Sequence, residues 1–164
     1  MTFANIDDIR HSGFDGFVTV SALQVSKCRD VPDKPGVYLI LRLDATHPTF
    51  LDASVGGYFK GKNPTVAPIR LENKWVQDAL VLYIGKAGSR TATLRSRLWQ
   101  YVRFGQGQAV GHWGGRYIWQ LPDSCDLLVC WKITSVDSPR TVEKALLDKF
   151  EKAHSKLPFA NLHH

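Results

Sequence analysis

Three stretches of the chain carry the pattern of buried strands. Gly36 to Leu43 reads Gly-Val-Tyr-Leu-Ile-Leu-Arg-Leu, with Val37, Leu39, Leu41 and Leu43 on one face and Tyr38, Ile40 and Arg42 on the other. Leu80 to Gly85 and Leu127 to Thr134 are shorter apolar runs of the same kind. Two further stretches carry helical spacing instead. Thr93 is placed to cap a helix running to about Phe104, with Leu94, Leu98, Tyr101 and Val102 as its apolar stripe and Gly105 as its stop. Ser138 is placed to cap a second helix, which runs to about His154 with Val142, Ala145, Leu146 and Phe150 turned inward. Pro139 then takes the first helical position, where its missing N–H costs nothing.

Between these elements the pattern weakens. Phe17 to Val20 fits a short strand. Residues 44–79 hold Pro48, Gly56, Gly57, Gly61, Pro64 and Pro68 and read as an excursion of turns and short extended pieces. A glycine-rich turn follows the first helix, and Tyr117 to Leu121 fits one more short element. The elements predict an α/β (α+β) fold, with a small sheet of about three strands and helices that follow the strands. With 164 residues, one domain spans the chain, with an N-terminal extension (1–34) and an insertion (about 44–79).

Composition narrows the class. Apolar residues make up 44%, enough for a core without disulfides or a structural metal. No run of 18 apolar residues predicts a membrane span, and the first ten residues do not read as a secretory signal. Three cysteines without a CxxC pair fit reduced thiols and a cytoplasmic protein. His154, His163 and His164, and Cys125 with Cys130, match no zinc spacing.

Charge changes the picture further. The chain carries a net +6, and the excess is local. Residues 60–116 hold ten basic side chains against two acids, whereas the remainder holds eleven against thirteen. A concentrated positive field suits a polyanion, of which nucleic acid is the common case.

Candidate chemistry sits in an ordered set. Gly36-Val37-Tyr38 lies on one strand and Tyr83-Ile84-Gly85-Lys86-Ala87 on the next. Arg97 and Tyr101 follow one helical turn apart, then Glu143 in the first turn of the last helix, then Asn161 beyond it. This order, spanning residues 35–161, resembles the GIY-YIG nucleases, the excinuclease catalytic module and the homing and restriction endonucleases of that type among them. The resemblance implies an antiparallel sheet that pairs the two tyrosine strands. It also implies an endonuclease that hydrolyses phosphodiester bonds, with DNA as the expected polymer.

The roles follow from the resemblance. Glu143 would bind one divalent metal ion, Mg²⁺ with Mn²⁺ as an alternative. Arg97 would hold the scissile phosphate, and Tyr38 would orient or deprotonate the attacking water. Tyr83 and Tyr101 would position phosphate or water, and Asn161 would fix the site. A free phenol has a pKa near ~10, so base action asks the site to lower it; Lys86 and Arg97 are the cations placed to do so. Lys86, Arg90, Arg95, His112 and Arg116 are expected to contact substrate, with Arg95 competing for the phosphate role of Arg97 and His112 a candidate auxiliary base.

The chain departs from the family pattern in the long insertion, where Tyr58, Phe59, Lys60, Lys62, Arg70, Lys74 and Trp75 interleave basic and aromatic side chains. That mixture suits backbone tracking and base stacking, and the insertion is expected to help select substrate. Two rivals stay open: a nucleic-acid-binding module of the same fold that does not cut, and a nuclease directed at RNA.

Overall fold

A computed structural model of the chain describes residues 2–88 and 91–164. At its centre is a four-stranded sheet built from β1 (Asp15–Thr19), β2 (Gly36–Leu41), β3 (Val81–Ala87) and β4 (Leu128–Ile133). The order across the sheet is β1-β4-β2-β3, and every pairing is antiparallel. The expected three strands are present, and the N-terminal extension supplies a fourth. β1 pairs with β4 through a bulge at Phe17, whose φ of 57° breaks the register between Gly16 and Val18.

Five helices accompany the sheet: α1 (Ile6–His11), α2 (Val20–Ser26), α3 (Pro68–Lys74), α4 (Leu94–Gly105) and α5 (Pro139–His154). Strand β2 is buried along its whole length, so its two faces feed two cores. Val37, Leu39 and Leu41 pack with Ile9 of α1 and Leu146, Leu147 and Phe150 of α5. Tyr38 and Ile40 pack with Leu94, Leu98, Tyr101 and Val102 of α4. The alternation of β2 thus assigns each face its helix layer.

Three details of the periodic reading change. Leu43 lies beyond the strand and is exposed. Ala145 faces solvent while Leu147 is buried, because the inward stripe of α5 lies slightly round the helix from the expected one. Gly105 does not stop α4 but closes it, since a Cβ there would overlap the Trp119 indole. The left-handed residue is Gly107, at φ +88°.

The insertion is part of the core. Phe50 stacks on Phe159 with centroids 5.6 Å apart, and Leu71 and Trp75 are buried beside them. The buried amide of Gln120 fastens this segment: its Oε1 accepts from Val66 N at 2.8 Å, and its Nε2 donates to Val66 O and Leu51 O. The segment also contains α3, which starts on Pro68. Among the described residues, no helix is long and apolar enough to cross a membrane.

Candidate functional site

Antiparallel pairing of β2 with β3 sets Tyr38 opposite Gly85 and Ile40 opposite Tyr83. Tyr83 and Gly85 are two apart, so they share the face on which Tyr38 lies. The phenol of Tyr38 crosses Gly85 so closely that a Cβ at Gly85 would overlap the ring. The glycine therefore lets one tyrosine lie across its neighbour strand and reach the other, with centroids 6.0 Å apart.

Helix α4 brings Arg97 to these rings. Thr93 caps it with a reciprocal capping box to Ser96, and the Thr93 hydroxyl donates to Asp33 at 2.7 Å, which ties the helix start to the segment before β2. The Arg97 guanidinium donates to Gly111 O at 2.9 Å and to Gln100 Oε1 at 3.3 Å. Helix α5 packs on the other face of the sheet. Its Ser138–Pro139 start lies past the end of β3, with Pro139 against Gly88. From there Glu143 reaches round the edge strand. Tyr38, Tyr83, Lys86, Arg97 and Glu143 consequently line one cleft of about 600 Å³, with Ser96, Gln100 and Arg140 beside them.

The electrostatics of the cleft differ from the sequence expectation. Burial pushes the Tyr38 phenol well above its ordinary range, Tyr83 adds to the rise, and Arg97 offsets part of it. The expected lowering of Tyr38 is overturned, because desolvation of the phenolate outweighs the nearby cation. Lys86 does not act on Tyr38. Its ammonium forms an ion pair with the Glu143 carboxylate. Tyr83 is also raised, chiefly by burial, with Glu143 contributing.

His112 occupies a different place from the one expected. It is fully buried and, unlike Tyr38, does not line the cleft, so it is not a substrate contact. Its Nε2 lies 2.8 Å from the Tyr38 hydroxyl, and its ring meets Tyr101 edge-on at 4.7 Å. Burial and the Arg97 charge pull its pKa down to about 3, so it is a neutral imidazole facing a neutral phenol.

The remaining predicted residues separate. Tyr101 is fully buried behind His112, its hydroxyl without a hydrogen-bond partner, and does not reach the cleft. It serves packing, with Trp119 at 4.8 Å on its other side. Asn161 lies under the edge strand, where its amide accepts from Ile84 N and donates to Ile84 O, both at 2.9 Å. It takes the place of a neighbouring strand beside Tyr83 and holds β3 without lining the cleft. Arg95 turns away and donates to Val31 O at 2.9 Å, which leaves Arg97 as the α4 arginine in the cleft. Arg116 sits outside the cleft, in a separate recess with Arg70 and Lys74. Arg90 lies outside the described residues.

Arg140 is the charged cleft residue that the motif reading missed, beside the polar Ser96 and Gln100. The signal was its spacing of three from Glu143, which puts both on one helix face.

No group of three or more His, Cys, Asp or Glu side chains able to hold a metal occurs among the described residues. Glu143 is the acid of the cleft, and it already holds a cation in the form of Lys86. One carboxylate in an open cleft fits a hard divalent ion that keeps most of its water. The Lys86 side chain is substantially exposed and flexible enough to withdraw. No protein-family model matches the chain, and no curated protein or solved structure does.

Proposed function

We propose that the chain is a divalent-metal-dependent endonuclease of the GIY-YIG type that hydrolyses phosphodiester bonds, with DNA as the substrate. One observation carries the reading: two phenols, a guanidinium and a carboxylate from four separate elements meet in one cleft, and the carboxylate comes from a helix on the opposite face of the sheet.

Glu143 would hold the metal, which when bound supplies Lewis-acid polarisation of the phosphate and neutralises its charge. Arg97 is braced by Gly111 and Gln100, and its remaining N–H groups turn to the phosphate as fixed donors. The Tyr83 hydroxyl binds a phosphate oxygen or water beside it. The Tyr38 hydroxyl and His112 Nε2 share a hydrogen bond of 2.8 Å, which fixes the phenol for contact with the attacking water. Tyr38, as a neutral phenol, would orient the water as it attacks phosphorus and the bond to the leaving oxygen breaks, the water's proton passing to solvent. No free phenolate forms, which matters because burial makes that anion costly.

A second reading is a binding module that does not cut, and the Lys86–Glu143 ion pair favours it, because it engages the one carboxylate a metal would need. The deciding assay incubates the purified protein with supercoiled plasmid, single-stranded DNA and RNA in Mg²⁺, Mn²⁺ or EDTA. Nicking that needs metal and disappears in Glu143→Ala supports the nuclease. Equal cleavage in EDTA, or by Glu143→Ala, overturns the mechanism. Salt-sensitive binding without cleavage selects the binding module.

A further inference from the structure

A recess of about 370 Å³, separate from the cleft, is lined by Arg70, Asn73, Lys74, Arg116, Tyr117 and Leu162. Arg70 and Lys74 are four apart on α3, so the insertion presents both on one helix face. The acid of that helix, Glu72, pairs with His47 at 2.6 Å. Arg116 comes from the loop after α4. Among the described residues, none of the three cations forms a salt bridge, and no carboxylate lines the recess.

Such a cluster opposes its own assembly. Desolvation and Arg70 lower the pKa of Arg116, and desolvation and Lys156 lower that of Lys74. Arg116 and Lys74 are nonetheless held in place. The Arg116 guanidinium rests 4.6 Å from the Trp113 ring centroid and 5.3 Å from that of Tyr117, and it donates to Trp113 O at 3.3 Å. Lys74 Nζ donates to Asn161 O at 3.1 Å, which leaves it two further protons. Two oriented cations with the exposed Arg70 beside them, and without a counter-charge, form a receptor for an oxyanion.

The recess is also joined to the cleft through Tyr83. Ideal Cβ atoms on Gly114 and Gly115 would each lie 3.4 Å from Tyr83, and Arg116 is the next residue. On the other flank Asn161, whose carbonyl holds Lys74, is bonded to Ile84, the residue after Tyr83. We infer that Arg70, Lys74 and Arg116 form a second anion site, which grips a backbone phosphate of the polynucleotide away from the bond being cut. The inference rests on the nuclease reading of the cleft and gives the insertion its task.

The test compares the wild type with Arg70→Gln/Arg116→Gln in the full chain. It measures anisotropy of a labelled DNA duplex against salt in EDTA, and cleavage at saturating DNA in Mg²⁺. Loss of two phosphate contacts should reduce the salt slope of binding by about 2 and weaken affinity about 10-fold or more at low salt, with cleavage at saturation unchanged. The lysine pair Arg70→Lys/Arg116→Lys should keep most of the slope, since the contact is to charge. Arg70→Glu, at an exposed position, repeats the test with little risk to folding. Unchanged affinity and slope in variants that still cleave would remove the second site and leave the nuclease standing. Reduced cleavage at saturation with unchanged affinity would also overturn it. Wild type that neither binds nor cuts DNA removes the nuclease reading and this inference with it.

Discussion

The Tyr38 hydroxyl lies 2.8 Å from Nε2 of His112, a contact across 74 residues that joins the central strand to the glycine-rich loop behind α4. Both groups are fully buried, and burial disfavours the charged form of each.

The pair sets a pH dependence of stability. The folded-state pKa of His112 is about 3 against an ordinary value of 6.5. Above about pH 6.5 both states are neutral and the group contributes nothing. As the pH falls below that, the unfolded chain takes up a proton that the folded chain refuses, so stability drops by about 1.4 kcal/mol per pH unit towards pH 3. Denaturant midpoints of wild type and His112→Gln across this range should show a weaker acid slope in the variant. Identical slopes would mean that His112 is not buried neutral.

We predict that Tyr38→Phe keeps the fold and lowers cleavage about 10²-fold, as misplacement of a reacting group does. His112→Gln should lower the rate while leaving DNA affinity unchanged. Wild-type cleavage by Tyr38→Phe would end the water-positioning account.

The two arginines of α4 should behave differently. Arg97→Ala is expected to lower the cleavage rate about 10²–10³-fold, as loss of a preorganised charge donor does. Arg95→Ala, whose side chain caps Val31 O, should cut at close to the wild-type rate. Reversal of that order in a single-turnover assay would show that the wrong arginine has been assigned.

Asn161→Ala would strand the N–H and C=O of Ile84 on the edge strand. The expected loss is about 2–6 kcal/mol, since two buried backbone groups lose their partner at ~1–3 kcal/mol each. Thermal melts should fall by several degrees. A variant as stable as wild type would show that water or the chain replaces the amide at no cost.

Lys86→Met should raise the affinity of the protein for Mg²⁺, because the ammonium competes for Glu143. Isothermal titration would measure it. Weaker Mg²⁺ binding in the variant would show that Lys86 assists the metal.

The boundaries of α5, the cap of α4 and the two-faced burial of β2 were readable in advance because each depends on neighbours within a few residues: Ser138 with Pro139, Thr93 with Ser96, and the alternation from Val37 to Leu41. The short helices α1 and α2 were not readable, since six or seven residues carry too little periodicity to separate helix from loop. The order of the candidate residues was likewise visible, from Tyr38 and Tyr83 to Arg97 and Glu143.

Their surroundings were not. Whether Tyr38 is raised or lowered depends on how much water and charge surround a phenol, and those neighbours come from β3, α4 and residue 112. The same holds for Lys86 on Glu143, for the retreat of Tyr101 into the core and for the meeting of Arg116 with α3. Local pattern specifies elements because backbone hydrogen bonding and side-chain periodicity are short-ranged. Desolvation and Coulomb forces act between residues that are distant along the chain, so they take values only once folding has made those residues neighbours.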